Sequence, residues 1–402
     1  MLILHIIDTL SPDRGGPPEA VRQLITAYAN IGAQTEIVCL DHPDAAYLKN
    51  FSCKIHALDQ SYLGRYALSP RLWRWLDANI ERFDGVVMNG IWSFPGLALN
   101  RIAARHKRPY GVFVHGALDP WFNRMYPVKH LKKLLYWRIQ YKVLHDALAV
   151  FFTTDTERKL ARESFRPNKW SPVVVPYGIT DPYVRWDNEH AQKEAFFNLQ
   201  PQLRDRRYLL FLGRLHEKKG CDLLVDAFAQ IAERESDLDL VMAGPDYADM
   251  LMRIKHLANR LGVASRVHFP GLIRGEAKWG ALQACEAFVL PSHQENFGIA
   301  VVESLAVGRP VLISNQVNIW PDIEQDQVGL VDADDRDGTR RLLRRWVEMP
   351  VREREQMAVR ARACFHRRYA MDRAAAAIND IFLPYETKRL QAKKKLIEMA
   401  QS

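Results

Sequence analysis

The chain has 402 residues, of which 48% are hydrophobic and 26% charged, a composition typical of a folded globular protein with two or three domains. Its formal net charge of +9 favours anionic partners, namely nucleotides, phospholipid surfaces or nucleic acids, without choosing among them. Five cysteines without CxxC spacing argue against a disulfide framework or zinc site. Because no apolar run approaches the roughly 18 residues of a membrane helix and the opening residues predict a strand rather than a signal peptide, we expect a cytoplasmic protein.

The first half alternates short apolar segments with helical ones. Helical spacing occurs around residues 71–82 and 95–106. This alternation predicts an α/β domain with a doubly wound parallel sheet. The predicted strands are Leu2–Ile7, Glu36–Leu40, Gly85–Met88, Tyr110–Val114, Ala147–Thr153 and Val173–Val175.

A glycine-rich turn follows the first strand. Gly15 and Gly16 allow close backbone approach, and the two prolines after them suit the start of a helix. A strand, a glycine turn and a helix in this order predict a loop that faces a phosphate or another ligand. A plain loop remains the alternative, and the dinucleotide fingerprint G-x-G-x-x-G is absent.

His115 and Gly116 stand directly after the strand YGVFV. The carboxyl end of a parallel strand is where open α/β sheets bind ligands. A single histidine can equally be a structural hydrogen-bonding group, so the position makes His115 a candidate without deciding its role.

A basic helix is predicted at 128–143, with lysine and arginine interleaved with leucine, tyrosine and tryptophan. The helix is either a core helix with a solvated basic face or a cationic surface that rests on anionic lipid. The basic amphipathic segment 387–398 near the end of the chain raises the same two alternatives.

The second half starts again with strands, after a polar stretch at 180–206. We expect loop and turn residues in GLVDADD after the last of these strands, and helices from about Asp337 onward. The predicted strands are Tyr208–Leu212, Leu238–Ala243, Arg266–Ile273, Ala287–Leu290 and Val311–Ser314.

Two cations follow the strand Tyr208–Leu212, in the segment GRLHEKKG. Arg214 can bind a phosphate through two N–H groups, and Lys219 adds a point charge. The pair therefore predicts an anion clamp at a strand end, although basic loops without any function are common.

The segment from Pro291 to Pro310 lies between two predicted strands, and its helix from about Phe297 to Val307 is apolar nearly all round. Glu303 sits in the middle of that helix, and a buried carboxylate is costly unless something pairs with it. Glu295 lies eight residues earlier in the loop. The amide groups at the helix start could face a phosphate.

These motifs together resemble a known family. The strings E-x-F-G-x4-E, S-L-A-x-G-x-P-V and G-R-L-x3-K-G, with the glycine turn and His-Gly, resemble the retaining GT-B glycosyltransferases of family 4 (group 1). The resemblance implies two Rossmann-like doubly wound domains facing across a cleft. It implies an acceptor domain at 1–185, a donor domain at 186–371, and helices from about 372–402 that cross back onto the first domain.

The resemblance also implies site roles. Glu303 would bind the ribose hydroxyls, Glu295 and His115 the donor sugar, and Arg214 and Lys219 the diphosphate. Tyr177 stands where the family usually has asparagine, which leaves a polar contact from that position in doubt. The backbone positions expected around the donor are Gly15, Gly16, Gly213, Gly244, Leu272, Asn296, Phe297 and Gly298.

The implied reaction moves a sugar from a nucleoside diphosphate sugar, of UDP or GDP type, to a hydroxyl of a glycan acceptor, with retention of configuration. SPDRGGPPEAV and HGALDPW resemble exopolysaccharide and lipopolysaccharide members, so we expect a lipid-linked acceptor in bacterial surface polysaccharide assembly and peripheral attachment to the inner face of the cell membrane. No metal is expected from the two D-x-D strings, Asp237 with Asp239 and Asp332 with Asp334. Arg214 and Lys219 can stabilise the leaving group instead. No cofactor is expected either.

Three alternatives remain. A related enzyme could use a soluble sugar or sugar phosphate as acceptor. The basic charge would also suit a polyanion- or nucleic-acid-binding protein, but no zinc motif or helix-turn-helix pattern supports that, and we expect no nucleic-acid partner. A nicotinamide dehydrogenase is disfavoured by the missing fingerprint.

Overall fold

The structure is a computed structural model that describes residues 1–14, 16–185 and 188–401; the side chains at 185, 388–390 and 392–401 are outside this description. The chain forms two compact units. One contains Met1–Thr180 together with Met371–Ser402, and the other contains Asp181–Ala370.

The first unit is built on a parallel sheet in the order β3-β2-β1-β4-β5-β6-β7. The strand order reverses between β1 and β4, which makes the sheet Rossmann-like and creates a ligand-binding edge at the carboxyl ends of those strands. The strands are β1 Leu2–Ile6, β2 Gln34–Cys39, β3 Lys54–Ala57, β4 Gly85–Asn89, β5 Tyr110–Phe113, β6 Ala149–Phe152 and β7 Pro172–Val174.

Helices cover this sheet, and every residue of β4 is buried beneath them. Local capping explains where several helices begin. Ser69 accepts a hydrogen bond from the amide of Leu72, and Pro70 occupies the first helical position, where its missing N–H costs nothing. The helices are α1 Gly16–Asn30, α2 Pro70–Asn79, α3 Phe94–His106, α4 Pro120–Met125, α5 Pro127–His145 and α6 Asp155–Ser164.

The second unit repeats the same plan, with parallel strands in the order β10-β9-β8-β11-β12-β13. The reversal point here lies between β8 and β11. The strands are β8 Arg207–Leu212, β9 Leu238–Ala243, β10 Val267–Gly271, β11 Ala287–Leu290, β12 Val311–Ser314 and β13 Gly329–Asp332. Its helices are α7 Pro182–Arg185, α8 Glu189–Leu199, α9 Cys221–Ala232, α10 Met250–Arg260, α11 Gly275–Ala284, α12 Ile299–Ala306, α13 Trp320–Asp326, α14 Arg336–Glu348 and α15 Val351–Cys364.

The expectation of a loop at GLVDADD was wrong for its first four residues, which form β13. This strand pairs with β12, with Gly329 opposite Val311. A side chain at Gly329 would come 2.0 Å from the carbonyl oxygen of Val311, so the glycine that suggested a turn is in fact needed for strand pairing.

The closing helix α16, Met371–Gln401, belongs to the first unit. Its Asp372 accepts a hydrogen bond from Asn30 at 3.1 Å, and Glu386 pairs with the amino group of Met1 at 2.7 Å. Phe382 is fully buried against Gly85, where any β-carbon would overlap its ring. In the described residues, no helix combines the length and apolarity needed to cross a membrane.

Candidate functional site

Two loops of the second unit meet at the reversal point of its sheet. One runs from Gly213 to Gly220 after β8, and the other from Pro291 to Gly298 after β11. Since β8 and β11 are paired neighbours, their carboxyl ends bring the GRLHEKKG and PSHQENFG segments side by side.

Backbone contacts join these loops. The carbonyl oxygen of Lys218 accepts hydrogen bonds from the amide of His293 at 2.8 Å and from the hydroxyl of Ser292 at 3.0 Å. Gly220 has φ +64°, and a β-carbon there would lie 2.1 Å from the carbonyl oxygen of Pro291. Only glycine therefore allows the two backbones to approach this closely.

Lys219 uses this proximity to contact the carboxylate of Glu295. Both side chains are mostly buried. Burial lowers the pKa of Lys219 to about 7, with the charges of Lys218 and Arg214 adding to the shift and Cys221 opposing it. Lys219 is thus the lysine whose ammonium group contacts Glu295.

Arg214 is exposed and forms no ion pair with any residue that the structure describes. Its charge is nevertheless close enough to lower the pKa of Lys219. Two cations near one carboxylate leave the edge of the sheet with an excess of positive charge. This arrangement suits an anionic ligand such as a diphosphate.

The loop after β11 ends in a left-handed residue that starts α12. Gly298 has φ +77°, and its carbonyl oxygen accepts the amide of Val301 at 2.8 Å. Phe297 is buried against Tyr369, with ring centroids 5.8 Å apart, and Asn296 is partly buried beside it. The first amides of a helix have no acceptor within that helix, so the start of α12 offers donors to an anion.

Glu303 is buried in α12 and has a partner that the sequence did not indicate. Its Oε1 accepts a hydrogen bond from Nζ of Lys278 at 2.7 Å. The same ammonium group lies 4.5 Å from the ring centroid of Trp279. The pairing offsets the cost of burying the carboxylate.

Three other predicted positions lie at the ends of neighbouring strands. The amide of Gly213 donates to Ala243 at 2.9 Å, and the amide of Gly244 donates to Gly271 at 2.8 Å. Gly244 has φ +149°, and a side chain there would overlap the carbonyl oxygen of Gly213. Leu272 is about half exposed, in the turn after β10.

Both D-x-D strings pair with cationic groups. Asp239 accepts from Arg206 at 2.6 Å, and Asp237 lies 3.2 Å from Arg207. Asp332 ends β13 rather than lying in a loop, and it pairs with Arg341 at 2.5 Å. No group of three or more potential ligands suited to a metal ion occurs in the described part of the chain.

In the first unit, His115 follows β5 in a left-handed conformation, with φ +48°. Its ring stacks on Phe113, with centroids 5.4 Å apart, and its Nδ1 lies 2.6 Å from the hydroxyl of Tyr177. Burial, assisted by His5, lowers the pKa of His115 to about 3. His115 is therefore neutral at pH 7. Tyr177 does make a polar contact, contrary to the doubt raised by the missing asparagine.

The turn after His115 is held by a buried carboxylate. Glu157 accepts the amide of Gly116 and the amide of Thr153, each at 2.6 Å. Thr154 caps α6 by accepting the amide of Glu157 at 2.9 Å. The capping sequence T-D-T-E therefore also fixes the His-Gly turn.

The glycine turn after β1 is described only in part. Gly15 lies outside the described residues. Gly16 begins α1, and a β-carbon built there would meet no atom within 4 Å, so the space beside it is open.

Several residues of these clusters were missed from the sequence, notably Lys278 and Glu157. Lys278 lies 25 residues before Glu303 and carries no motif. Glu157 could have been found from the capping pattern, since Thr154-x-x-Glu157 is a capping box. Its second role, accepting the amide of Gly116, depends on strand order and could not have been found from the sequence pattern.

Comparison with known families agrees with these motifs. The model of the family described as glycosyl transferases group 1 matches residues 192–363, and that of the glycosyl transferase 4-like domain matches residues 15–178. The chain belongs to the group 1 glycosyltransferases. The predicted family is thereby confirmed.

The curated relatives of this glycosyltransferase align over part of their length. Mannosylfructose-phosphate synthase of Agrobacterium fabrum is 34% identical over 163 residues, which are 37% of this chain and 36% of the relative. A D-inositol 3-phosphate glycosyltransferase of Actinosynnema mirum is 30% identical over 179 residues, 42% of each chain. The alignments thus span between about one third and two fifths of these relatives.

Solved structures match the glycosyltransferase along nearly its full length. HepE of Anabaena, in complex with UDP and glucose, has a TM-score of 0.73 at 16% identity, over 94% of this chain and 98% of that one. WaaG, a glycosyltransferase involved in lipopolysaccharide biosynthesis, has a TM-score of 0.66 at 17% identity, over 94% and 99%. These likenesses concern the fold, and the predicted GT-B fold with two Rossmann-like domains is confirmed.

Proposed function

We propose that this protein transfers a sugar from a nucleoside diphosphate sugar to a hydroxyl group of an acceptor, with retention of configuration. The observation that carries the proposal is the cluster of Lys219, Glu295 and Arg214 at the reversal point of the second sheet. Excess positive charge at such an edge, next to the start of α12, fits a bound diphosphate.

The roles of the residues follow from their chemistry. The acceptor oxygen bonds to the anomeric carbon while the bond from that carbon to the diphosphate oxygen breaks. The hydroxyl proton leaves with the diphosphate, on which negative charge develops. Arg214 and Lys219 stabilise that charge, together with amides near Phe297 and Gly298. Glu295, held by Lys219, orients the sugar.

Glu303 binds the ribose hydroxyls in this proposal. Only its Oε1 is engaged by Lys278, so Oε2 remains an acceptor for a hydroxyl group. The turn at Leu272 meets the nucleobase, and His115 contacts the donor sugar. Gly213 and Gly244 support the proposal because their close packing leaves no side chain between the ends of β8 and β9.

The proposed reaction needs neither a metal ion nor a cofactor, because the two cations take up the charge of the leaving group. The ion pairs of Asp237, Asp239 and Asp332 with arginine side chains support this. HepE is described in complex with UDP and with UDP-glucose, which makes a UDP-sugar the first donor to test, with GDP-sugars second.

We further propose a lipid-linked glycan acceptor at the inner face of the cell membrane, in polysaccharide assembly. Helix α5 supports this, because Val128, Leu131 and Leu135 are all more than 60% exposed. The stretch from Pro120 to His145 carries six lysine and arginine residues and no acidic residue. Exposed aliphatic side chains among cations fit an anionic lipid surface. The predicted lipid contact at 387–398 concerns side chains that lie almost entirely outside the described residues.

A soluble acceptor is the second candidate, because both curated relatives named above carry sugar or inositol phosphates in their names. Vesicle sedimentation separates the two candidates. An enzyme with a lipid-linked acceptor should sediment with phosphatidylglycerol vesicles at low salt, and an enzyme with a soluble acceptor should stay in the supernatant.

The proposed binding of a nucleotide-sugar donor is tested by thermal unfolding with a panel of nucleotide sugars. We expect one class of nucleoside diphosphate sugar to raise Tm, and Glu303→Ala to abolish that rise. A rise with NAD alone would contradict the proposed function.

A further inference from the structure

Lys133 of α5 is a cation held among aromatic rings. Its Nζ lies 4.9 Å from the ring centroid of Trp92 and 5.9 Å from that of Phe122. Lys133 forms no ion pair with any side chain in the described part of the protein. Burial, with Lys129 one turn earlier, lowers its pKa. A half-buried ammonium group without a carboxylate has lost solvation that an anionic ligand could replace.

The rings that hold Lys133 stand at the ligand-binding edge of the first sheet. Trp92 follows β4, and its indole Nε1 donates to the carbonyl oxygen of Ala117, two residues after His115. Its amide donates to the buried side chain of Gln140 on α5 at 2.8 Å. Trp92 thus ties the loops after β4 and β5 to the helix that carries Lys133.

The surroundings on the outer side of α5 are apolar. Val128, Leu131 and Leu135 are strongly exposed on the same helix, and Met125 is about half exposed just before it. Helical spacing places the first three side chains on the face of α5 opposite Lys133, so an amphiphile with its head at Lys133 and its tail on the apolar face would span the helix from the sheet edge outward. This combination fits an amphiphile with an anionic head.

We propose that Lys133, framed by Trp92 and Phe122, binds the phosphate group that joins the lipid to the glycan in the acceptor. The inference rests on the proposed function, since it names the part of the acceptor that this unit recognises. The rings serve two purposes here. Their faces favour the cation, and they exclude water from the contact between the ammonium and the phosphate.

The site is selective because neighbouring lysines differ from Lys133. Lys132 and Lys129 are exposed to solvent, so their contacts with phosphate are screened by water and salt. Lys132 therefore provides a control of equal charge on the same helix. A general attraction to anionic lipid would weaken similarly when either lysine is removed.

The test uses dodecyl phosphate as the probe and titration calorimetry on the full chain. Dodecyl maltoside, with the same tail and a neutral head, and inorganic phosphate, with no tail, complete the set. We expect dodecyl phosphate to bind at least about tenfold more tightly than either. Lys133→Met should remove that preference, and Lys132→Met should retain it.

Other outcomes would overturn the inference. Equal losses in the two variants, or equal binding of dodecyl phosphate and dodecyl maltoside, would show that Lys133 is not a phosphate site. Binding of inorganic phosphate as tight as that of dodecyl phosphate would point to a free phosphate instead. The last experiment uses vesicles of phosphatidylglycerol. If both variants weakened vesicle binding equally and Lys133→Met had no effect on dodecyl phosphate binding, α5 would contact anionic lipid in general and Lys133 would not be a phosphate site.

Failure of the donor proposal can be told apart from failure here. Dodecyl phosphate binding needs no nucleotide, so a normal result for Lys133 without stabilisation by any nucleotide sugar would contradict the proposed function alone. The variant fold is checked by Tm, which Lys133→Arg should preserve together with most of the affinity.

Discussion

Lys219 and Glu295 are 76 residues apart in sequence and in contact in the fold. They meet because Gly220 lets the loop after β8 touch the backbone at Pro291. The contact joins the two motifs on which the family resemblance rests. Single substitutions can test how each of these residues contributes to ligand affinity and stability.

Nucleoside diphosphate binding should weaken as pH rises through the region around 7. The pKa of Lys219 is lowered to about 7, so its charge is complete below that pH and is lost above it. A bound diphosphate and Glu295 both favour the charged form and move the loss upward. We expect titration calorimetry with UDP and GDP to show this decline.

Lys219→Met should flatten that pH dependence. Losing one charge-assisted contact costs about 1.5–3 kcal/mol, or roughly 10- to 150-fold in Kd. Lys218→Met removes a neighbouring charge that lowers the pKa of Lys219, so it should keep the decline of affinity and move it to higher pH. An unchanged pH profile in Lys219→Met would remove this lysine from the anion clamp.

The pair of Lys278 and Glu303 should behave as a coupled unit in a double-mutant cycle. Lys278→Met leaves a mostly buried carboxylate without its cation, and we expect a loss of about 1–3 kcal/mol in the free energy of unfolding. Adding Glu303→Gln should recover part of the loss, because a neutral amide costs less to bury than a charge. Urea denaturation measures all four proteins, and strictly additive changes would mean that the two side chains do not interact.

Gly220→Ala should lower stability and nucleotide affinity by far more than the φ value of Gly220 alone implies. Left-handed backbone costs a non-glycine residue roughly 1–2 kcal/mol, and here a clash with Pro291 is added. Gly262 has a similar φ of +73° with no atom within 4 Å of an added β-carbon. Gly262→Ala should therefore lose about 1–2 kcal/mol, again the cost of the left-handed backbone alone. Equal losses in stability and in nucleotide affinity for the two variants would contradict the close approach of the loops.

Membrane association should depend on the exposed leucines of α5. The double variant Leu131→Ser with Leu135→Ser should reduce sedimentation with phosphatidylglycerol vesicles at least about tenfold, since each leucine contributes roughly 1.5–3 kcal/mol when buried. Val351→Ser with Val359→Ser, at exposed apolar positions of the second unit, should have no effect. If both double variants changed sedimentation by the same small amount, α5 would be an ordinary surface helix with no role in membrane association.

Chelation should leave turnover unchanged. Asp239 is paired with Arg206, and Asp332 with Arg341, so these carboxylates already have cationic partners. We expect the same initial rate of sugar transfer with and without EDTA. Loss of activity on chelation and its recovery with Mg²⁺ would contradict the metal-independent mechanism.

Much of the fold followed from periodicity and short apolar runs. The strand AFVL before the glutamate motif and VLIS after it were predicted with the bounds that the structure gives. Strands that contain few apolar residues were not predicted. β3 is K-I-H-A, and β13 contains a glycine and an aspartate, and both lie at sheet edges where less burial is required.

The candidate site was only partly accessible from sequence. Motif spacing singled out Lys219 and Glu295, but their mutual contact depends on the pairing of β8 with β11, which no local pattern specifies. The partner of Glu303 was even less accessible, because an unremarkable surface-type lysine on α11 supplies it. Pairing between distant segments is a property of topology rather than of local composition.

The position of α16 has a consequence for synthesis. The second unit is one continuous segment and can become compact as soon as its last strand and helices have left the ribosome. The first unit begins earlier but lacks the Phe382 ring over Gly85 until residues beyond the second unit have been made. The first unit is therefore completed after the second, and a nascent chain arrested before Met371 would present an uncovered apolar face to chaperones.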